Sequence, residues 1–199
     1  MPRVTEPFRC FGGSDPLYAD YHDNEWGRPV TDERALLERV CLEGFQSGLS
    51  WLTILRKRDN FRAAFANFEP EELARFGDGD VERLLQDAGI IRHRGKIEAT
   101  LANARATAEL HAGGDTLRDL LWSHAPAGER NAAGTLGDLP ASTPESKALS
   151  RELKKRGFRF VGPTTAYAAM QACGVVNDHL AQCPVRDAVE NERRVVARP

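Results

Sequence analysis

Apolar residues along this chain recur every three or four positions, the spacing that places them on one face of an α-helix. The stretch after Asp32 shows the pattern with Leu36, Leu37, Val40 and Cys41. Asp32 is itself a residue type that often caps a helix N-terminus. We find no strand-length stretch in which apolar and polar residues alternate. The sequence therefore predicts an all-α fold.

Further helices are predicted along most of the chain. Between residues 111 and 140 the composition shifts toward Gly, Ala and Pro, which indicates loops and short helices. The last residues, 185–199, are rich in charge and are expected to fray as a tail. The predicted helix starts, in chain order, are Ser50, Asp80, Gly95, Ser142 and Thr165.

Composition limits the class of protein further. In 199 residues the chain has 41% hydrophobic and 28% charged residues, which suits one folded domain and excludes disorder along the whole chain. No apolar run approaches the roughly 20 residues of a membrane span, and no signal peptide is visible. Four cysteines are too few for a disulfide scaffold. We expect a cytoplasmic protein that does not bind membranes, monomeric by default, with cysteines that are buried, reactive or metal-bound.

Residues 143–173 are predicted to form two helices joined by a short turn that contains glycine. Gly162 leaves backbone N–H groups accessible just before the second helix, and a helix N-terminus with free donors favours a phosphate. Lys154, Lys155 and Arg156 add positive charge at the end of the first helix. An ordinary helical turn explains the same residues, so the local pattern leaves both interpretations open.

Several motifs together are more specific. The segments 21–27, which ends Asn24-Glu25-Trp26-Gly27, and 48–51 are the most distinctive. With the other segments they resemble the bacterial DNA-3-methyladenine glycosylase I family, whose members are helix–hairpin–helix DNA glycosylases. The resemblance implies two helical lobes, with residues 1–183 as one glycosylase domain and 184–199 as a charged tail. The other matching segments are 15–18, 41–44, 86–97, 153–158 and 170–174.

Three aromatic residues and one carboxylate are the candidate base-binding residues: Tyr21, Trp26, Trp51 and Glu43. Taken singly, each aromatic side chain could belong to the core and Glu43 to the surface. Glu43, however, ends an apolar helix face, where a carboxylate is costly unless it is used. The resemblance implies that the aromatic faces hold a flipped, positively charged base by stacking and cation–π attraction, and that Glu43 is catalytic.

The resemblance also implies two sets of DNA contacts. Residues of the Gly48-Leu49 loop fill the gap that the flipped base leaves, with Leu49 as an apolar wedge. A core leucine is an equally good interpretation of Leu49 from the sequence alone. The second set lies in the hairpin and consists of Phe160, Val161, Gly162 and Thr164.

Two positions depart from the usual helix–hairpin–helix glycosylases. Thr164 stands where lyase-type members carry a lysine, and a hydroxyl cannot form an imine. Asn177 is the best match to the usual catalytic aspartate, and an amide is neither a base nor an anion. The resemblance therefore implies a monofunctional glycosylase without lyase activity, and it disfavours a glycosylase-lyase with an iron–sulfur cluster.

Two cysteines and two histidines are candidate metal ligands. His179 and Cys183 lie one helical turn apart, which by itself is a weak signal, and Cys10 and His22 form a possible second pair. The resemblance implies that these four bind one structural zinc ion per chain, which links residues 10–22 to residues 179–183. The remaining cysteines, Cys41 and Cys173, have apolar neighbours and are predicted to lie in the core.

The resemblance thus implies an enzyme of base excision repair that acts on double-stranded DNA containing alkylated adenine. It would flip out 3-methyladenine and hydrolyse its N-glycosidic bond. The alternative is a helix–hairpin–helix DNA-binding protein without catalytic activity. Such a protein needs no base pocket, so the aromatic residues around Glu43 argue against it.

Overall fold

The computed structural model describes residues 8–128 and 131–196. Within these ranges the chain forms eleven α-helices and two 3-10 helices and contains no β-strand, which confirms the predicted all-α class. None of the helices in these ranges combines the length and apolarity that crossing a bilayer requires. The α-helices are α1 (Pro16–Asn24), α2 (Glu33–Gln46), α3 (Trp51–Leu55), α4 (Arg58–Ala64), α5 (Pro70–Leu73), α6 (Asp78–Gln86), α7 (Arg94–Ala112), α8 (Leu117–Trp122), α9 (Pro144–Lys155), α10 (Pro163–Ala172) and α11 (Arg186–Val195), and the 3-10 helices are Ala66–Phe68 and Leu136–Asp138.

Helix α2 runs through the centre of the fold. Its N-terminus is capped as predicted, because the Asp32 carboxylate accepts a hydrogen bond of 2.9 Å from the backbone N–H of Ala35. Leu36, Leu37 and Phe45 on this helix are fully buried. The helix contacts α3, α7, α8 and α10. Because other helices surround α2, some of its polar side chains also lie in the interior.

Helices α9 and α10 form the predicted hairpin. Thr143, rather than Ser142, caps α9, in a reciprocal pair of hydrogen bonds with Ser146. The turn that follows is fixed to α7, because the Asn103 side chain accepts from the N–H of Arg159 at 2.7 Å and donates to its carbonyl at 3.2 Å. A buried amide that satisfies both backbone groups of one residue holds the turn in a single position.

The C-terminal region differs from the prediction of a fraying tail. Residues 186–195 form helix α11, and Val189 on this helix is fully buried. Arg193 donates hydrogen bonds of 2.6 and 2.7 Å to the carbonyls of Gly174 and Val175. The high charge of this segment predicted a tail, but one buried apolar residue and one arginine anchor the helix to the loop after α10.

Candidate functional site

Helices α1, α2, α3 and α10 converge on a cavity of about 170 Å³. All four predicted base-binding residues line it, so the structure brings together side chains that are up to 30 positions apart in the sequence. The complete lining consists of Phe11, Tyr18, Tyr21, Trp26, Glu43, Gln46, Trp51, Ala168 and Gln171.

Aromatic rings make up much of the cavity wall. The ring centroids of Tyr21 and Trp51 are 5.3 Å apart, and Phe11 lies 4.9 Å from both Tyr18 and Trp26. These separations are typical of aromatic pairs that stabilise each other. The indole N–H of Trp51 is buried and has no acceptor among the described residues, so it is available to a bound molecule or to water.

Glu43 is the only carboxylate in this lining. Its side chain is 6% exposed, and in the described parts of the chain nothing forms a hydrogen bond or an ion pair with its carboxylate. Burial raises the pKa of Glu43 to about 8, while the positive charge of Arg39, one helical turn earlier, acts in the opposite direction. A buried carboxylate without a partner is costly, which marks a site for a cationic ligand.

Sequence reasoning missed five residues of the lining, although helical spacing could have found some of them. Tyr18 lies three residues before Tyr21 on α1, and Gln46 lies three residues after Glu43 on α2. Residues three apart share one face of a helix, so each predicted residue points to a neighbour in the same cavity. The missed residues are Phe11, Tyr18, Gln46, Ala168 and Gln171.

The predicted wedge loop follows α2 directly. Gly48 has a φ of 83°, a conformation that favours glycine, and the Leu49 side chain is 38% exposed. Leu49 is therefore not a core leucine. The buried Lys96 ammonium donates hydrogen bonds of 2.8 and 2.6 Å to the carbonyls of Phe45 and Ser47, which fixes the end of α2 beneath the loop.

The hairpin residues differ in what they can offer a partner. Phe160 is 38% exposed and adopts a φ of 55°, which is unusual for an aromatic residue. Thr164 is exposed, and Gly162 caps α10 without any side-chain hydrogen bond to the helix N-terminus. Val161 is a correction to the sequence analysis: its side chain is 2% exposed and packs in the core, so only its backbone could reach DNA.

The four predicted metal ligands lie together, all buried, with their donor atoms within 4.8 Å of one another. Cys183 Sγ is 3.4 Å from His179 Nδ1 and 3.6 Å from His22 Nε2, and Cys10 Sγ is 3.7 Å from His179 Nδ1. The bond lengths of tetrahedral zinc imply sulfur–nitrogen separations of about 3.6 Å. The donor set and its spacing therefore fit a tetrahedral metal ion.

Outer contacts orient both imidazole rings toward this cluster. His22 donates from Nδ1 to the Asp23 carboxylate at 2.7 Å, and His179 donates from Nε2 to the carbonyl of Trp26 at 2.9 Å. Such contacts leave Nε2 of His22 and Nδ1 of His179 as the nitrogens that face the cluster, an arrangement typical of metal-ligating histidines. Because Trp26 also lines the cavity, the cluster supports one of its walls.

Comparison with known proteins agrees with this geometry. The family model for methyladenine glycosylase matches residues 11–187. The chain belongs to this family. It is 55% identical over 179 residues to DNA-3-methyladenine glycosylase 1 of Escherichia coli (strain K12), covering 88% of this chain and 95% of the relative. A crystal structure of 3-methyladenine DNA glycosylase I superposes with a TM-score of 0.86 at 52% identity, over 89% of this chain and 98% of that one.

A second solved structure adds a ligand. It is a variant of 3-methyladenine DNA glycosylase I in complex with 3-methyladenine, 34% identical to this chain, with a TM-score of 0.84. The alignment covers 89% of this chain and 96% of that one.

The side chain predicted at the place of the usual aspartate, Asn177, lies outside the cavity lining. Asn177 donates hydrogen bonds of 3.1 and 3.0 Å to the carbonyl of Arg186 and the carboxylate of Glu190 on or next to the start of α11. It is 4% exposed and does not line the cavity. Its contacts are therefore structural, and Glu43 is the carboxylate that faces the cavity.

Proposed function

We propose that the protein is a monofunctional DNA glycosylase that hydrolytically removes 3-methyladenine from alkylated DNA in base excision repair. The unpartnered carboxylate of Glu43, buried in an aromatic cavity, carries this proposal. Such a site favours a flat ligand with positive charge, and a 3-methyladenine nucleotide carries that charge on its base. The relative from Escherichia coli and the structure with bound 3-methyladenine support the same substrate.

The proposed base-binding residues hold the base in two ways, by aromatic stacking and by negative charge. Tyr21, Trp26 and Trp51 supply electron-rich faces that attract a cationic base by cation–π interaction. Glu43 supplies a negative charge and accepts hydrogen bonds from N–H groups of the base. A bound cation also lowers the pKa of Glu43, so the carboxylate ionises as the base enters. Unmethylated adenine is neutral and gains none of this electrostatic energy.

In the proposed reaction, the bond between C1′ of the sugar and N9 of the base breaks. The base keeps the electron pair and leaves as a neutral molecule, and the sugar becomes an oxocarbenium-like cation. Water adds to C1′ and releases a proton to solvent, which leaves an abasic site. Because the damaged base is already a good leaving group, positioning and the negative charge of Glu43 replace a strong general acid.

The damaged base must leave the duplex to enter the cavity, because a base that is stacked in the duplex is out of reach. We assign the gap-filling role to Gly48 and Leu49, because Leu49 is exposed on a loop between Gln46 and Trp51, which both line the cavity. In the hairpin, Phe160 and Thr164 are exposed, and Gly162 leaves the N-terminus of α10 open to a DNA phosphate.

Replacement of Leu49 by alanine is expected to lower excision of 3-methyladenine from duplex DNA by about tenfold, the effect of losing most of one apolar side-chain contact. Binding of the free base should stay unchanged, because Leu49 does not line the cavity. Single-turnover excision and calorimetry measure the two effects. Leu136→Ala is the matched control, since Leu136 is a leucine of similar exposure, 45% against 38%. Equal losses in both variants would contradict the wedge role.

We assign one structural zinc ion per chain to Cys10, His22, His179 and Cys183. The four donors complete a tetrahedral coordination shell, so zinc bound there has no open position for water or substrate and supplies stability rather than catalysis. The ligands come from the two ends of the described chain. The ion would therefore link the segment that carries Phe11 to the segment after α10.

The direct test is an excision assay on methylated duplex DNA. The proposal requires release of free 3-methyladenine and formation of abasic sites that break only after alkali treatment. Borohydride should trap no covalent adduct, because Thr164 cannot form an imine. Binding to the DNA without base release would instead identify the alternative, a non-catalytic helix–hairpin–helix DNA-binding protein.

A further inference from the structure

Gln171 lies on α10, a helix without charged residues, and its side chain lines the cavity. Its side-chain nitrogen donates a hydrogen bond of 2.8 Å to the carboxylate of Asp178. Asp178 is 5% exposed and accepts a second hydrogen bond from the hydroxyl of Tyr167. The amide nitrogen of Gln171 therefore faces Asp178, and the amide oxygen is turned away from this carboxylate.

The remaining polar atom of the amide is the carbonyl oxygen, Oε1. Among the described residues it has no hydrogen-bond donor. A glutamine without such an anchor can turn its amide by 180° and offer either a donor or an acceptor. Gln171 cannot do so without breaking its bond to a buried carboxylate. It therefore presents only an acceptor to the cavity.

We propose that Gln171 is a specificity-determining residue whose amide oxygen accepts a hydrogen bond from the 6-amino group of the bound base, and that Asp178 is the positioning residue that prevents the amide from turning. This inference rests on the proposed function. A purine with a 6-oxo group brings an acceptor to the same place, where two oxygens repel and both stay unpaired. The site thereby selects adenine-type over guanine-type or hypoxanthine-type methylated bases, a preference that size and positive charge cannot provide.

The test compares 3-methyladenine with 3-methylhypoxanthine, which carries a 6-oxo group in place of the 6-amino group. Calorimetry gives the binding preference of the wild-type protein and its variants. We expect the wild-type protein to prefer 3-methyladenine by at least about tenfold. Gln171→Met should reduce that preference about fivefold, because it removes both the hydrogen bond to 3-methyladenine and the repulsion of the 6-oxo base. Asp178→Asn should reduce it by a similar factor by strengthening the 6-oxo base, because an amide at 178 lets Gln171 turn.

Tyr167→Phe is the control, since it removes the hydrogen bond from the Tyr167 hydroxyl to Asp178 and leaves the one from Gln171. It should keep the wild-type preference. Because Asp178 adjoins His179, metal content is measured for Asp178→Asn, and Gln171→Met repeats the test away from the metal ligands.

The inference is wrong if Gln171→Met leaves the binding preference unchanged. It is also wrong if Gln171→Met and Asp178→Asn weaken the binding of both bases equally. Excision of 3-methyladenine by the wild-type protein is measured in parallel. If that excision is intact, either result rejects the role of Gln171 alone, whereas its absence rejects the proposed function.

Discussion

Replacement of Glu43 by glutamine is expected to lower the rate of 3-methyladenine excision by about a hundredfold or more and to leave the fold intact. Glutamine keeps the size of the side chain but removes its negative charge, and this change forfeits on the order of 3 kcal/mol of charge-assisted interaction with the cationic base. Single-turnover excision from duplex DNA measures the loss. A variant that excises at the wild-type rate would show that the charge of Glu43 plays no part.

Glu38→Gln is the matched control for this variant. Glu38 lies on the same helix and is equally buried, at 5% exposure, but it pairs with Arg62 outside the cavity. Loss of that pair is expected to lower stability while excision stays within about twofold of the wild-type rate. A large loss of excision in both variants would mean that α2 is sensitive to any change of charge.

The same Glu43→Gln variant has a second, independent readout in its stability. Burial raises the pKa of Glu43 in the folded protein from 4.5 to about 8. A raised pKa means that the neutral side chain stabilises the fold fully below pH 4.5, and that this contribution is lost as the pH rises through about 8. Glutamine mimics the neutral acid at every pH. Thermal unfolding should therefore find equal stability near pH 4.5 and a more stable variant at pH 8.5, whereas a less stable variant there would contradict an unpartnered carboxylate.

Much of the architecture follows from short-range rules that a sequence displays. The periodic apolar residues of α2 and the Asp32 cap are local features, so helix and boundary could be predicted together. The tail could not, because α11 is held by the buried side chain of Val189, by hydrogen bonds from Arg193 to carbonyls about 18 positions away, and by those of Asn177 to the helix. Contacts of that kind have no local signature.

The cavity was predictable in part for a similar reason. Tyr21, Trp26, Trp51 and Glu43 belong to distinctive motifs, and all four line one cavity. Gln171 belongs to a motif too, yet nothing local shows that its amide is anchored to Asp178 seven residues later. The lining depends on which faces of four helices meet, and that is decided by packing between segments far apart in the chain.

Loss of the proposed zinc ion is expected to have the largest effect on stability. The ligands Cys10 and His179 are 169 positions apart, so the metal would close almost the whole chain into one loop. Closing a long loop removes much of the conformational freedom of the unfolded state. Binding of a structural zinc ion contributes on the order of 10 kcal/mol in small metal-dependent domains, and part of that energy here would support folding.

Replacement of Cys183 by serine should therefore abolish binding of zinc and lower the melting temperature by more than about 10 °C, since a protein of this size loses about 3 °C for each kcal/mol. The purified wild-type protein should contain one zinc ion per chain, and a chelator should produce the same loss of stability as Cys183→Ser. Cys173→Ala is the control, because Cys173 is a buried cysteine outside the cluster, and this variant should keep its zinc. Since the ring of His179 is hydrogen-bonded to the carbonyl of Trp26, the Cys183→Ser variant should also bind free 3-methyladenine more weakly than Cys173→Ala. A wild-type protein that melts at the same temperature with and without a chelator, and that carries no zinc when purified, would reject the assignment and leave the four residues as a metal-free packing cluster.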